Sequence, residues 1–96
     1  MRAALNTLLS TLADPTRRTI FERLCRDGEQ SVHALTAAAG VTQPTVSKHR
    51  DLLKRSGLVR RRRFGRESYY SARSEGLVPL VDWVGALQPL LAQATR

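Results

Sequence analysis

Residues 43–51 contain side chains that could support two different kinds of chemistry. Ser47, His49 and Asp51 are the residue types of a hydrolase relay, in which a histidine activates a serine and an aspartate orients the histidine. On a helix, residues two apart point about 200° away from each other, so His49 would face away from the other two. The sequence also contains no Gly-rich phosphate loop, paired-carboxylate site or zinc-ligand motif. We therefore do not expect an enzyme.

The same stretch carries polar and basic side chains that can hydrogen-bond to the edges of bases. Its surroundings, GVTQPTVSKHRDLLKRSGL, predict a helix from about Gln43 to about Ser56. Thr42 is a suitable N-cap, Pro44 is tolerated in the first turn, and Gly57 can adopt the left-handed conformation that ends a helix. The candidate DNA contacts on this helix are Thr42, Gln43, Thr45, Ser47, Lys48 and Arg50.

A helical wheel divides this helix into a packing face and an exposed face. Val46 and Leu53 fall on the packing face. Pro44, Lys48 and Arg55 fall on the opposite face, which is short, polar and basic. This division predicts that one side of the helix is held by a core while the other side is free to contact a partner.

A short helix should precede this one. The segment SVHALTAAAG has Ser31 as an N-cap, apolar residues at packing spacing, and Gly40 at a tight turn. Two short helices joined in this way predict a helix-turn-helix at about residues 31–57. Another helix should begin at Asp14 and Pro15, an N-cap followed by a first-turn proline. Its predicted buried residues are Ile20, Phe21 and Leu24.

The charge of the chain is concentrated around this helix-turn-helix. The 96 residues, 42% of them hydrophobic, suit one compact domain with a modest core. Sixteen Lys and Arg oppose eight Asp and Glu, and nine of the sixteen lie between Lys48 and Arg66, where Asp51 is the one acid. A charge run by itself is often only a solvated face. Beside a helix-turn-helix it favours a polyanionic partner, nucleic acid before membrane.

After Gly57 the sequence pattern changes from helical to extended. The segments LVRRRR and ESYYSA predict two strands joined by a turn at Phe64, Gly65 and Arg66, which form a wing at about residues 58–73. Side chains alternate along a strand, so at least two of the four consecutive arginines must project to solvent or phosphate in either register. The ring of Phe64 either folds back on the hairpin or touches a sugar edge in a minor groove. The candidate DNA contacts of the wing are Arg61, Arg62, Arg63 and Arg66.

Both ends of the chain predict apolar helices, at about residues 2–13 and 77–93. Together they carry more apolar surface than one face of a small domain can cover, so we expect them to join two copies into a homodimer. Pro89 should kink or end the second helix near Gln88. The candidate interface residues are Leu5, Leu8, Leu9, Leu12, Leu80, Trp83, Val84 and Leu87.

The N-terminal leucines do not predict a secretory signal, because four polar residues between positions 6 and 11 interrupt the apolar run. No later stretch is expected to approach the length that spans a membrane. Cys25 is the single cysteine, so an intramolecular disulfide cannot form, and a small semi-buried hydrophobe is favoured over a redox sensor. We therefore expect a cytoplasmic protein that does not bind membranes.

Four segments of the chain, ADPTRRTIFERL, QPTVSKH, LLKRSGLVRRRRFGRESYYSA and PLVDW, resemble the ArsR-type family of small bacterial winged-helix repressors. The resemblance covers roughly residues 8–84. It implies a homodimer that is joined through the terminal helices and binds a pseudo-palindromic operator with two recognition helices. Such a protein represses transcription until an effector or a cellular change releases it. The implied fold is mainly α with a small β-hairpin, a single winged helix-turn-helix domain over residues 1–96.

The chain departs from that family in two respects. The metal-sensing members resemble one another in a cysteine pair on the helix before the turn, or in acid and histidine ligands on the last helix. Here SVHALTAAA has no cysteine and the tail has Asp82 without a histidine, so we expect no metal site and no cofactor. His49 matches a family histidine and should be packed and hydrogen-bonded. Arg50 replaces a residue that is usually Leu, and its guanidinium could reach either a phosphate or an acid.

The alternative functions are a basic RNA-binding protein and a dimeric protein-interaction module. Two Phe, two Tyr and one Trp are few for stacking RNA bases, whereas a turn followed by a helix fits a DNA major groove. Sequence-specific binding of duplex DNA by a transcription regulator is therefore the favoured function. The operator, the regulated genes and the effector cannot be read from the sequence.

Overall fold

The computed structural model of the protein describes residues 2–40 and 43–94. In this part of the chain the helices are α1 (Arg2–Ala13), α2 (Pro15–Asp27), α3 (Val32–Ala39), α4 (Gln43–Arg55) and α5 (Val78–Ala94). The strands are β1 (Gln30–Ser31), β2 (Val59–Phe64) and β3 (Glu67–Ala72), and a 3-10 turn at Ser74–Leu77 leads into α5. The predicted architecture, mainly α with a small β-hairpin, is confirmed.

Side-chain caps determine where α2 and α3 begin. The carboxylate of Asp14 accepts a hydrogen bond from the backbone N–H of Arg17 at 2.9 Å, and Pro15 follows in the first turn. The hydroxyl of Ser31 accepts one from the backbone N–H of Ala34 at 3.1 Å. Replacing such a cap by alanine typically costs about 1 kcal/mol. The sequence predicts both caps, and the structure confirms them.

Gly57 ends α4 in the left-handed conformation that the sequence predicts, with φ 81°. Its backbone N–H donates to the carbonyl of Lys54 at 3.1 Å, and the N–H of Leu58 donates to the carbonyl of Leu53 at 3.1 Å. This pair of hydrogen bonds is a Schellman motif, which satisfies carbonyls that a helix end leaves unpaired. Leu58 then enters the core with no exposed surface and directs the chain into β2.

The 3-10 turn before α5 packs directly on this end of α4. The guanidinium of Arg73 donates to the carbonyl of Gly57 at 3.1 Å, and its backbone N–H donates to the carbonyl of Leu58 at 2.8 Å. Gly76 lies so close that a Cβ there would overlap the carbonyl oxygen of Gly57 and stand 2.9 Å from its carbonyl carbon. A backbone-to-backbone contact therefore sets the position of α5 relative to the end of α4.

The three strands form an antiparallel sheet in the order β1-β3-β2. The predicted hairpin is present, with the chain turning at Gly65 and Arg66. Strand β1 is an addition that the sequence did not predict, in which Gln30 pairs with Tyr70 and Ser31 with Tyr69. Two residues are too few to show an alternating pattern, so the pairing is visible only in the folded chain.

The core lies between the first four helices and one face of the sheet. Its largest fully buried side chains are Leu8, Leu35, Val46, Leu53 and Leu58. Burying one such side chain contributes about 1.5–3 kcal/mol. The assignment of Leu8 to a dimer interface is therefore wrong, because its side chain is 1% exposed in a single protomer and has no surface left for a second copy. The leucine stripe of α1 predicts an apolar face without telling which of its residues face the protein's own core.

Helix α5 has no buried residue among those the structure describes. Leu80 packs against the edge of the core, whereas Val81 is 63% exposed, Val84 41% and Leu90 60%. The molecule measures 56 × 24 × 23 Å, which is elongated for a single small domain. Helix α5 therefore carries apolar surface that the described residues of the protomer do not cover.

Helix α5 continues through Pro89 to Ala94. Of the two expected effects of Pro89 near Gln88, a kink or an end of the helix, the end is therefore wrong. Pro89 cannot donate a hydrogen bond to the carbonyl of Gly85, four residues earlier. The residues on both sides keep the helical conformation, and the helix loses this one bond without stopping.

The helical stretch Ser74–Ala94, 21 residues, is long and apolar enough to cross a membrane by length and composition. The expectation that no stretch approaches such a length is therefore wrong. A helix that buries an apolar face against another protein surface passes the same test, so this property is a weak indication of membrane insertion.

Candidate nucleic-acid interface

Helix α4 is anchored by its packing face and leaves its opposite face exposed, as the wheel predicts. Val46 and Leu53 have no exposed surface, while Pro44, Lys48 and Arg55 are exposed. Thr45 is exposed and Ser47 is half-buried. Of the other predicted contacts on this helix, Thr42 and the side chain of Gln43 lie outside the described residues. The first two turns of α4 therefore present short polar side chains and one lysine at the surface.

His49 holds α4 against the start of α2. Its side chain is 14% exposed, and its Nδ1 lies 3.9 Å from Oδ2 of Asp14. The expected packing is present, and Nδ1 has no hydrogen-bond partner among the described residues. The pKa of Asp14 lies below its ordinary value, mainly because its carboxylate accepts the N–H of Arg17, and the charge of His49 adds a smaller effect. His49 thus faces the N-cap of α2.

Of the two partners that the sequence suggests for Arg50, a phosphate and an acid, no acid of the described residues pairs with it. Its Nη2 donates a hydrogen bond to Oγ of Ser47 at 2.9 Å, and its guanidinium lies 5.3 Å from the ring centroid of Tyr70 on β3. Its Nε is buried and has no hydrogen-bond partner among the described residues. In place of an acid, Arg50 contacts a hydroxyl of its own helix and an aromatic ring of the sheet.

The register of the hairpin sorts the arginines of β2 onto two faces. Arg61 stands opposite Tyr70 and Arg63 opposite Ser68, on the side of the sheet where Tyr70 is buried and Arg50 lies. Residues alternate along a strand, so Arg60 and Arg62 lie on the other side. The first pair therefore shares a face with α4.

The second pair contacts acids of the same protomer, one of which, Glu75, is shared with Arg73. Arg62 donates to both carboxylate oxygens of Glu29, at 2.7 and 3.1 Å, and its guanidinium lies 5.2 Å from the ring centroid of Tyr69. The hydrogen bonds from Arg62 hold the pKa of Glu29 below its ordinary value. Arg60 is 3.3 Å from a carboxylate oxygen of Glu75. Sequence reasoning missed both acids as partners, because they lie far from the arginines along the chain.

The other arginines of the wing have no such partners among the described residues. Within residues 2–40 and 43–94, no ion pair closer than 4.0 Å involves Arg61, Arg63 or Arg66. Phe64 at the tip of the wing is 69% exposed, and its ring centroid lies 5.8 Å from the guanidinium of Arg62 on the same strand. Lys48 of α4 and the unpaired wing arginines thus leave positive charge that the described acids do not neutralise.

The described residues contain no group of three or more His, Cys, Asp or Glu side chains that could hold a metal ion. Cys25 is exposed, whereas the sequence predicts a semi-buried residue. The Nε2 of His33 lies 3.2 Å from a carboxylate oxygen of Glu67, which connects α3 to the start of β3. These titratable side chains are therefore dispersed over the surface.

Comparison with known proteins agrees with this architecture. A family model described as a helix-turn-helix domain matches residues 12–62. The crystal structure of an ArsR family transcriptional regulator superposes with a TM-score of 0.87 and 30% sequence identity, over 96% of this chain and 94% of that chain. This chain belongs to the ArsR family of winged helix-turn-helix transcriptional regulators.

Two further proteins are similar to this chain. The chain is 40% identical over 78 residues to the HTH-type transcriptional repressor SmtB of Mycobacterium tuberculosis, covering 81% of this chain and 57% of that protein. It thus spans little more than half the length of that relative. The solution structure of a homodimeric winged helix-turn-helix DNA-binding domain from Mycobacterium bovis matches with a TM-score of 0.72 and 30% identity, over 90% of this chain and 82% of that one.

Proposed function

We propose that this ArsR-family protein is a cytoplasmic, homodimeric repressor that binds a pseudo-palindromic operator in duplex DNA. The observation that carries the proposal is the common location of two features. One is α4, which contacts Tyr70 through Arg50. The other is the pair Arg61 and Arg63, which the register of the hairpin puts on the same face of the sheet as Tyr70. A helix with short polar side chains fits the major groove, and unpaired cations beside it can neutralise phosphates.

Dimerisation is supported by the exposed apolar side of α5 and by the homodimeric neighbour from Mycobacterium bovis. Two recognition helices related by a two-fold axis would read two half-sites of opposite orientation. The proposed interface consists of the exposed part of the predicted set, without Leu8. It comprises Leu9, Trp83 and Val84, with the half-buried residues Leu5, Leu12, Leu80 and Leu87 at its edge.

Selection of bound sequences from a random duplex library tests this function directly. A recovered palindrome would establish sequence specificity and two-fold symmetry in one experiment. Competition with single-stranded RNA of equal length provides the comparison with the alternative function. Recovery of no consensus, together with stronger binding to the RNA, would replace the proposal by a basic RNA-binding function.

The exposed side of α4 should determine sequence preference. Replacing Lys48 by Ala is expected to weaken binding to the selected operator by about 1–3 kcal/mol and binding to random duplex far less, because base-edge contacts are lost. Gln43→Ala and Thr45→Ala should act in the same direction. Fluorescence anisotropy titrations on both duplexes measure the difference. An equal loss on the two duplexes would mean that α4 contacts phosphates and does not read bases.

The wing should determine affinity and salt dependence, and its two faces should differ. Replacing Arg63 by Ala is expected to reduce the slope of log K against log salt by about one unit, since one phosphate contact is lost. Arg62→Ala is the matched control on the same strand, and it should change the slope little because Glu29 already occupies that guanidinium. Alternation along the strand predicts that these two arginines face opposite sides, but not which of them meets an acid. A larger slope change for Arg62→Ala than for Arg63→Ala would reverse their assignment.

We propose that DNA binding does not depend on a metal ion. Operator affinity, measured by anisotropy, is expected to stay constant within experimental error as zinc, cadmium or arsenite is added at micromolar concentration. The reason is the dispersion of the titratable side chains, with Cys25 alone at the surface. A tenfold weakening that a chelator reverses would reveal a site, and Cys25→Ser would then show whether the thiol takes part.

A further inference from the structure

The guanidinium of Arg50 contacts both a side chain of its own helix and an aromatic ring of the sheet. It lies three residues after Ser47, so the two side chains share one side of α4. Its Nη2 is 2.9 Å from Oγ of Ser47, and its central carbon is 5.3 Å from the centroid of the Tyr70 ring. Tyr70 is 2% exposed and paired on both sides within the sheet, so the contact with its ring rests on a rigid part of the core.

The hydrogen bond determines what Ser47 can offer to a partner. A guanidinium has only donors, so the oxygen of Ser47 must be the acceptor in this pair. Ser47 can then still donate its hydroxyl hydrogen to a partner. The positive charge of Arg50 beside it makes the oxygen of Ser47 a poorer acceptor. Without Arg50, a serine hydroxyl on a helix can rotate and bond to the carbonyl four residues earlier.

We propose that Arg50 is a positioning residue for base recognition, which presents Ser47 to DNA as a hydrogen-bond donor. This inference rests on the proposed function of α4 as the DNA reader. The base opposite Ser47 should then be one that offers an acceptor in the major groove, such as guanine, thymine or the N7 side of adenine, and not the amino group of cytosine. Arg50 acts through Ser47 and is not itself a reader.

Base preferences of five variants test this role, each obtained by selection from a random duplex library and confirmed by titration. Ser47→Ala identifies the operator position that Ser47 reads. Arg50→Met keeps an apolar stem against the core and removes the guanidinium. It should lower the preference at that same position roughly two- to tenfold, the range expected for one hydrogen bond. The double variant should lose no more preference there than either single variant, because both substitutions remove the same interaction.

Arg55→Met is the matched control for loss of charge. Arg55 is exposed on the opposite side of α4, so its replacement should weaken binding to all duplexes and leave the preference at the Ser47 position unchanged. Arg50→Lys keeps the charge but lacks the planar fork, so it should recover affinity for random duplex without recovering the preference. Thermal unfolding by circular dichroism identifies variants that do not fold.

The outcomes separate this inference from the function on which it rests. A wild-type protein that selects no sequence overturns both. The positioning role alone is overturned if the wild-type protein selects a clear consensus and a folded Arg50→Met variant keeps the same preference at the Ser47 position. The same holds if Ser47→Ala alters no position of the consensus, or if Arg50→Met reduces all preferences equally.

Discussion

The double variant Leu9→Glu with Val84→Glu is expected to be a folded monomer. Leu9 is 40% exposed and Val84 41% in a single protomer, so charges at these positions should leave the core intact. In the proposed interface the same charges would be buried without partners, which strongly disfavours association. Sedimentation velocity at micromolar concentration measures the assembly. Operator affinity should fall by about 10²-fold or more, because the second recognition helix is no longer tethered to the first.

Gln93→Glu provides the matched control for this experiment. Gln93 is exposed on α5 and nine residues after Val84, which places it on the opposite side of the helix. It receives a negative charge on the same helix, yet the dimer should persist. A double variant that sediments as the wild-type dimer, or a wild-type protein that is already monomeric, would show that the exposed side of α5 does not join two copies. Far-UV circular dichroism verifies that the variants keep their helices.

Gly76→Ala is expected to lower the free energy of unfolding by about 1–3 kcal/mol, the usual cost of forcing a methyl group into a packed contact. The added Cβ would overlap the carbonyl oxygen of Gly57, and the surrounding backbone is tied by Arg73. The turn before α5 must therefore move away from the end of α4. Urea denaturation followed by circular dichroism measures the loss, at one protein concentration because association would contribute to stability.

Gly85→Ala is the control within the same part of the chain. A Cβ at Gly85 would meet nothing within 4 Å, so this substitution should be neutral or stabilise the helix by up to about 1 kcal/mol. Equal stability of the Gly76 and Gly85 variants would show that the contact between Gly76 and Gly57 is not tight in solution. A destabilised Gly76 variant that still binds the operator should prefer a different half-site spacing, since α5 and α4 would have shifted relative to each other.

Features that depend on neighbours along the chain could be predicted from the sequence. The caps Asp14 and Ser31 and the terminator Gly57 act within one helical turn, and each is in its predicted role. The faces of α4 follow from helical periodicity alone, so the burial of Val46 and Leu53 was also predictable. The polar surface of the recognition helix is a local property in the same sense.

Features that depend on distant partners could not be predicted. The pairing of Glu29 with Arg62 joins residues 33 apart, and no pattern in the sequence connects them. The sequence therefore does not show which wing arginines are paired with acids. In the structure, Arg60 and Arg62 on one face contact acids, whereas Arg61 and Arg63 on the other face contact none of the described acids. In the same way, the periodicity of α1 cannot show that Leu8 packs inside the protomer while Leu9 stays exposed. The contact of Arg50 with Tyr70 likewise depends on how α4 is placed over β3.

The exposed apolar side of α5 also bears on how steeply regulation would respond to the amount of protein in the cell. In the proposed function, the dimer holds the operator, whereas a free protomer, in which this surface is uncovered, does not. When most protomers are free, the concentration of dimers rises with the square of the protomer concentration by mass action. Halving the protomer concentration, as growth and division without new synthesis would do, then lowers the dimer concentration roughly fourfold. An interface of moderate strength would therefore make repression end sharply once synthesis of the protein stops.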